Sequence, residues 1–237
     1  MQKVSIEKII YYLTGSLPAL GTTFAYVILS LIFGTILGVL IYRLRNSGHA
    51  MLRALGSVYV TIVRCTPSIV MLFLVFYGLP VITGGEVGEW MEGWPVLTFV
   101  CITFSVFIGA SSSEVIRAAL SAIPKGQKEA GLSVGLSDLQ IFRHVILPQM
   151  LRNAMPNIGN TTIMLIKEGA LAYTIGLRDV LGQAYYLSGI EMNAYAVSMY
   201  IALTLIYWPL TLGQESLFAY LEKILTPWER KKHSHAD

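Results

Sequence analysis

Hydrophobic residues fall in long blocks along this chain, and short polar stretches separate the blocks. Five are long enough to cross a bilayer: about Leu17 to Tyr42, Leu55 to Leu79, Trp94 to Ala118, Met155 to Leu177 and Ala194 to Leu221. A helix needs roughly 20 predominantly apolar residues to cross the hydrocarbon core, and each block reaches that length. Gly34 and Gly38 in the first block form a small-xxx-small pair that lets another helix approach closely. Pro67, three residues after Arg64, removes a helical hydrogen bond and predicts a kink in the second block; Pro156 and Pro209 predict similar bends wherever they fall inside spans. Asn160, Lys167 and Glu168 interrupt the fourth block. Upstream of the first, Ile6, Ile9, Ile10 and Leu13 share one helical face while Lys3, Glu7 and Lys8 lie elsewhere, which predicts an interfacial helix over residues 1–16. The apolar run behind it is too long for a signal-peptide core, so the segment is expected to be retained. The pattern predicts an all-α integral membrane protein with five transmembrane helices over residues 17–225, a polar loop over 121–149 and a terminal tail over 226–237.

Composition agrees with that class. Residues of the AVILMFWYC set make up 54% of the 237, and charged residues only 13%, against about 25% in a typical soluble domain. The placement of the cations predicts orientation. Twelve of the 17 Lys and Arg residues (Arg43, Arg45, Arg53; Arg117, Lys125, Lys128, Arg143, Arg152; Lys223, Arg230, Lys231, Lys232) share one side if there are five crossings. The positive-inside rule puts that side, with the polar loop and the tail, in the cytoplasm and the N-terminus outside. On the outer side Trp90 and Trp94 flank Glu86, Glu89 and Glu92 and suit an interfacial aromatic belt.

The polar loop, SAIPKGQKEAGLSVGLSDLQIFRHVILPQ from Ser121 to Gln149, is the longest hydrophilic interruption. Pro124 can open a helix, and Lys125, Gln127, Lys128 and Glu129 keep it wetted. Ala130 and Gly131 present almost no side chain, so another protein's backbone could approach there, while Gly135 and Pro148 punctuate the remainder. On composition alone, a solvated connection between two spans explains the segment equally well.

Several chemistries are missing. No G-x4-G-K-[ST] loop cradles phosphates, and no zinc-spaced His/Cys cluster, CxxC or G-x-S-x-G elbow occurs, so no catalytic residue, metal site or cofactor is expected in this chain. Nothing points to nucleic acid. The side chains suited to a solute are charges at membrane depth: Arg64, Lys167, Glu168 and, after the Ser111, Ser112, Ser113 run, Glu114. Two cations with one or two carboxylates match a zwitterion charge for charge. A structural pairing of Arg64 with Glu168 or Glu114 would neutralise the same charges without any solute.

The loop resembles the EAA signature, EAA-x3-G-x9-I-x-LP, of the membrane subunits of ABC importers, with Gly131 for the second Ala and Val145 for Ile. The likeness extends over about residues 16–225. YVTIVRCTPSIVMLFLVFYGLP from Tyr59, SSSEVIRAALSAIPKGQKEAG from Ser111 and NTTIMLIKEGALAYTIGLRDV from Asn160 are similar to stretches of the polar amino-acid permeases of type I importers. Departures are Cys65 for Gly, Ser111 and Ser112 for Ala-Tyr, and Gly169 and Ala170 for Thr-Ser. The resemblance implies a five-helix domain of a bacterial inner membrane that pairs with a second copy or a homologous permease. It also implies two separate ATPase subunits that bind ATP and Mg, and an extracytoplasmic solute-binding protein. By position, Lys125, Gly126, Glu129, Ala130, Gly131 and Gly135 would form a coupling helix gripped by the ATPase, and Arg64, Ser111, Ser112, Glu114, Lys167 and Glu168 would border the path of a polar amino acid or close derivative, cystine or an opine among them. An ion-driven secondary transporter and a non-transporting membrane scaffold that docks an ATPase are the alternatives.

Overall fold

The computed structural model describes residues 4–225, and among them every regular element is helical. The tail over 226–237, with Arg230, Lys231, Lys232, His233 and His235, lies outside the described residues, as does Lys3.

The N-terminal helix α1 (Ile6–Ser16) runs through one tight turn at Leu17–Ala19 into α2 (Leu20–Arg45), and the two make a 40-residue apolar rod. α3 (Ala50–Cys65) is followed by α4 (Ser68–Phe73), a wide turn at Leu74–Gly78 and α5 (Leu79–Thr83). Between α3 and the rest of that block the chain turns by 110°, far more than the kink the sequence suggests. The reason is local: Pro67 has no N–H and forces the residue before it out of the helical region, so Thr66 and Pro67 are both extended, with ψ 128 and 140. A short outer helix, α6 (Gly85–Glu92), leads to α7 (Val96–Ser121). The polar loop holds α8 (Gly126–Ser133) and α9 (Asp138–Ile141), and a wide turn at Phe142–Ile146 opens α10 (Leu147–Gly169). A narrow turn over Ala170–Ile175 leads to α11 (Val180–Ile190), whose N-terminus Asp179 caps by accepting from the Gly182 N–H at 2.8 Å. α12 (Ala196–Leu225) ends the described chain.

α2 and α7 form the tightest seam. A methyl group added at Gly38 would lie 2.5 Å from Cβ of Ser112, one at Gly109 would lie 2.9 Å from Leu37, and one at Gly34 would overlap Ile108. Inside a bilayer, lipid tails are as apolar as leucine, so helices associate through such contact rather than through escape from water. Tyr26, fully buried, carries the seam on to α10: its ring stacks on Phe104 at 6.3 Å, its hydroxyl donates to the Ile166 carbonyl at 3.4 Å, and Gly169 leaves room for the ring. The amphipathic α1 packs on α11 and α12. It buries Tyr12, whose hydroxyl donates to Glu191 at 3.0 Å beside an ion pair of Lys8 with the same carboxylate.

Among the described residues three helices are long and apolar enough to cross a membrane: Ile6–Arg45, Val96–Ser121 and Ala196–Leu225; the bent Ala50–Cys65 and Ser68–Thr83 pair makes a fourth. α10, which covers most of the fourth block read from the sequence, falls short because Asn153, Asn157, Asn160, Lys167 and Glu168 dilute it. Its other face, with Ala154, Gly159, Thr162, Leu165, Ile166 and Gly169 buried, seats it among α2, α7 and α12.

Candidate functional site

Side chains three and four apart on a helix share a face, and in α10 that rule collects Asn153, Asn157, Asn160 and Lys167 on the exposed side, with Thr161, Met164 and Glu168 half-buried beside them. Polar and ionisable groups of this kind do not face hydrocarbon; they face protein or water. Several cavities open along the stripe, and two of them hold charged residues nominated from the sequence. The first, about 450 Å³, is lined by Arg64, Ser111, Glu114 and Arg117 together with Asn157, Asn160 and Thr161. The second, about 540 Å³, is lined by Lys167, Tyr200, Leu203, Thr204, Tyr207 and Trp208 among others. Lys167 follows Asn160 by seven residues, about 10 Å at 1.5 Å per residue. α10 runs antiparallel to α12, with Arg152 Nε donating to the Leu225 carbonyl at 2.9 Å and Gln214 Nε2 to the Gly159 carbonyl at 3.0 Å. The Lys167 cavity therefore lies toward the end that carries α1 and α11, and the Asn160 cavity toward the polar loop.

Of the six residues the sequence nominates for a solute, Arg64, Ser111 and Glu114 meet in one cavity, while Lys167 borders the other. Glu168 lies half-buried next to Lys167, and Ser112 packs against Gly38 in the α2–α7 seam. Glu114 is neutralised by Arg45 and by Arg117, the latter at 2.8 Å, rather than by Arg64, which has no ion-pair partner among the described residues. Asn157 and Thr161 are not among the sequence candidates, and Asn160 stands there only as an interruption; the polar repeat Asn153, Asn157, Asn160, Thr161 is the signal that points to them.

The polar loop stands outside the bundle. Lys125, Gly126, Glu129 and Ala130 are exposed, but Gly131 is buried, because α9 folds back over α8: a methyl at Gly131 would lie 2.7 Å from Ile141. Gly131 is therefore covered within the loop, and of the Ala130, Gly131 pair only Ala130 is left open on α8. Gly135 adopts φ +79, and the Leu136 N–H donates to the Gly131 carbonyl at 3.1 Å, a Schellman closure of α8 that favours glycine. Ser137 and Gln140 form a reciprocal capping box on α9. The Lys128–Asp138 ion pair at 2.9 Å is exposed on both sides and adds about 0–1 kcal/mol. Around Ala130 the loop presents Leu132, Val134, Leu139 and Phe142 outward, Val134 and Leu139 each 74% exposed.

Residues 30–226 match the family described as "Binding-protein-dependent transport system inner membrane component". The chain is 36% identical over 211 residues to the L-cystine transport system permease protein TcyL of Bacillus subtilis, covering 89% of this chain and 86% of that one. It is 35% identical over 227 residues to the probable amino-acid permease protein YxeN of the same organism, covering 95% and 98%. Among solved structures, an amino acid ABC transporter crystallised with histidines aligns at a TM-score of 0.80 and 26% identity, covering 94% of this chain and 99% of that one. The MetNI methionine ABC transporter aligns at 0.69 and 25%, covering 94% and 100%.

Proposed function

Because the chain belongs to the family of binding-protein-dependent inner membrane permease components, we propose that it forms the translocation path of an ABC importer for a polar amino acid or close derivative, cystine included. In this reading five crossings place the N-terminus outside and the polar loop in the cytoplasm, and a second copy or a homologous permease closes the path. α8 seats on a separate ATPase subunit, one of two that bind ATP and Mg, and a binding protein delivers solute from outside. The observation that carries the reading is the polar stripe of α10, exposed on an otherwise apolar bundle: Asn157, Asn160 and Lys167 need a wet path beside them. The self-capped loop, with Ala130 exposed beside an apolar patch, supports its role as a docking piece. Closure of the ATPases on ATP would move the loop and bias the bundle between outward and inward openings.

The test is ATP-driven uptake of labelled L-cystine and other amino acids into proteoliposomes holding the permease, its ATPase and its binding protein. Ala130→Arg is expected to abolish uptake and ATPase co-purification while the subunit still inserts. Lys167→Ala and Glu168→Ala are expected to lower uptake with the complex intact. Normal ATP-driven uptake by Ala130→Arg refutes the docking role. Uptake by this chain alone under an ion gradient makes it a secondary carrier, and ATPase capture without any uptake makes it a scaffold.

A further inference from the structure

We infer that the cavity beside Lys167 is a recognition station for the amino acid being carried, and that it selects carboxylates bearing a neutral, sulfur-containing or aromatic side chain over basic ones. The inference deepens the importer reading and rests on it. Among the described residues Lys167 is the one charged residue lining that cavity, and Glu168 beside it is not part of the lining. A ligand carboxylate therefore has a partner there, while a ligand whose cations outnumber its carboxylates, as in arginine or lysine but not in cystine, would meet net repulsion.

The remaining walls fit an ammonium and an uncharged side chain. Thr204 and Thr211 donate their hydroxyl protons to the Tyr200 and Tyr207 carbonyls, each at 2.9 Å, so toward the cavity their oxygens can only accept. Rings of Tyr200, Tyr207 and Trp208 add faces for an ammonium and for sulfur or aromatic groups. The Tyr200 ring is held in place: its hydroxyl lies 2.8 Å from that of Tyr185, whose own ring stacks on Tyr173 at 4.4 Å. At about 540 Å³ the cavity accommodates an amino acid, within the usual range of ligand sites. The Asn160 cavity does not restore a preference for cations, because Glu114, the one carboxylate lining it among the described residues, is already shared between Arg45 and Arg117 while Arg64 has no ion-pair partner there.

The decisive experiment measures binding of labelled L-methionine and L-cystine to the purified permease–ATPase complex in nanodiscs without binding protein, so that the selectivity read belongs to the membrane complex. Excess phenylalanine is expected to displace the label and excess arginine or lysine to leave it bound. Lys167→Met should remove binding of all amino acids. Trp208→Ala should weaken methionine by about tenfold and serine much less, the scale of a lost side-chain contact, with Trp208→Phe restoring most of it. Displacement by arginine as effective as by phenylalanine, or equal effects of Trp208→Ala on methionine and serine, overturns the inference. Those results leave the importer reading standing if ATP-driven uptake persists; absence of ATP-driven amino-acid uptake by the wild-type complex overturns the reading itself.

Discussion

α2 and α10 are built in opposite senses. α2 turns Thr23, Ser30, Gly34 and Gly38 inward and leaves Ile28, Ile32, Phe33, Ile36 and Leu40 on its outer face, whereas α10 buries Leu165, Ile166 and small residues and leaves Asn157, Asn160 and Lys167 outside. One helix is made for hydrocarbon around it and close contact behind it; the other is made for water or protein in front of it. The difference shows that burial alone does not locate a pathway in a membrane protein. The useful signal is which polar groups remain uncovered.

The largest effect expected on this contrast comes from the seam. Gly38→Leu forces a side chain into Ser112 and the α7 backbone and should cost about 3 kcal/mol or more, read as loss of folded subunit from the membrane fraction. Next, Ile36→Lys, on the lipid-facing side of α2, should cost about 2.5–3.5 kcal/mol of insertion, while Asn157→Lys in α10 inserts normally; equal insertion defects in a glycosylation-reporter assay would erase the distinction between the two faces. Asn160→Leu makes the α10 stripe apolar and should reduce uptake by about tenfold, the scale of one lost hydrogen bond to solute, with thermal stability in nanodiscs kept. The smallest effect is confined to α1. The Lys8 ammonium hydrogen-bonded to Glu191, with Tyr12 as a second donor, holds that carboxyl below its ordinary range against the opposing pull of desolvation. The resulting stabilisation is complete above the unfolded carboxyl value of about 4.3 and is lost as pH falls through the lower folded value. Amide exchange in α1 should therefore accelerate below about pH 4.3 in the wild type, with the acid dependence reduced in Glu191→Gln.

Local physics made much of this legible in the sequence. Glycines at 34 and 38 announced a close seam, Pro67 announced a kink though not its 110° size, and the spacing from Glu129 to Pro148 announced a punctuated loop. What stayed hidden depends on distant contacts. Nothing near Glu114 in sequence identifies Arg45, 69 residues away, as its partner in place of Arg64. The inward turn of Gly131 requires α9 to fold back and bring Ile141 onto it. Ser111 and Ser112 look equivalent in sequence, yet a rotation of about 100° per residue sends one to the cavity and the other to the seam. Lys167 and Arg64 line different cavities: Lys167 shares its lining with residues of α12, Arg64 with residues of α7 and of the middle of α10.

The two closures in the polar loop give it a mechanical property. With Gly135 locking the end of α8, Ser137 and Gln140 locking the start of α9, and Ile141 wedged against Gly131, little slack remains between Ala130 and the root of α10. A load on Ala130 would therefore be passed along the loop as one stiff crank toward Leu147.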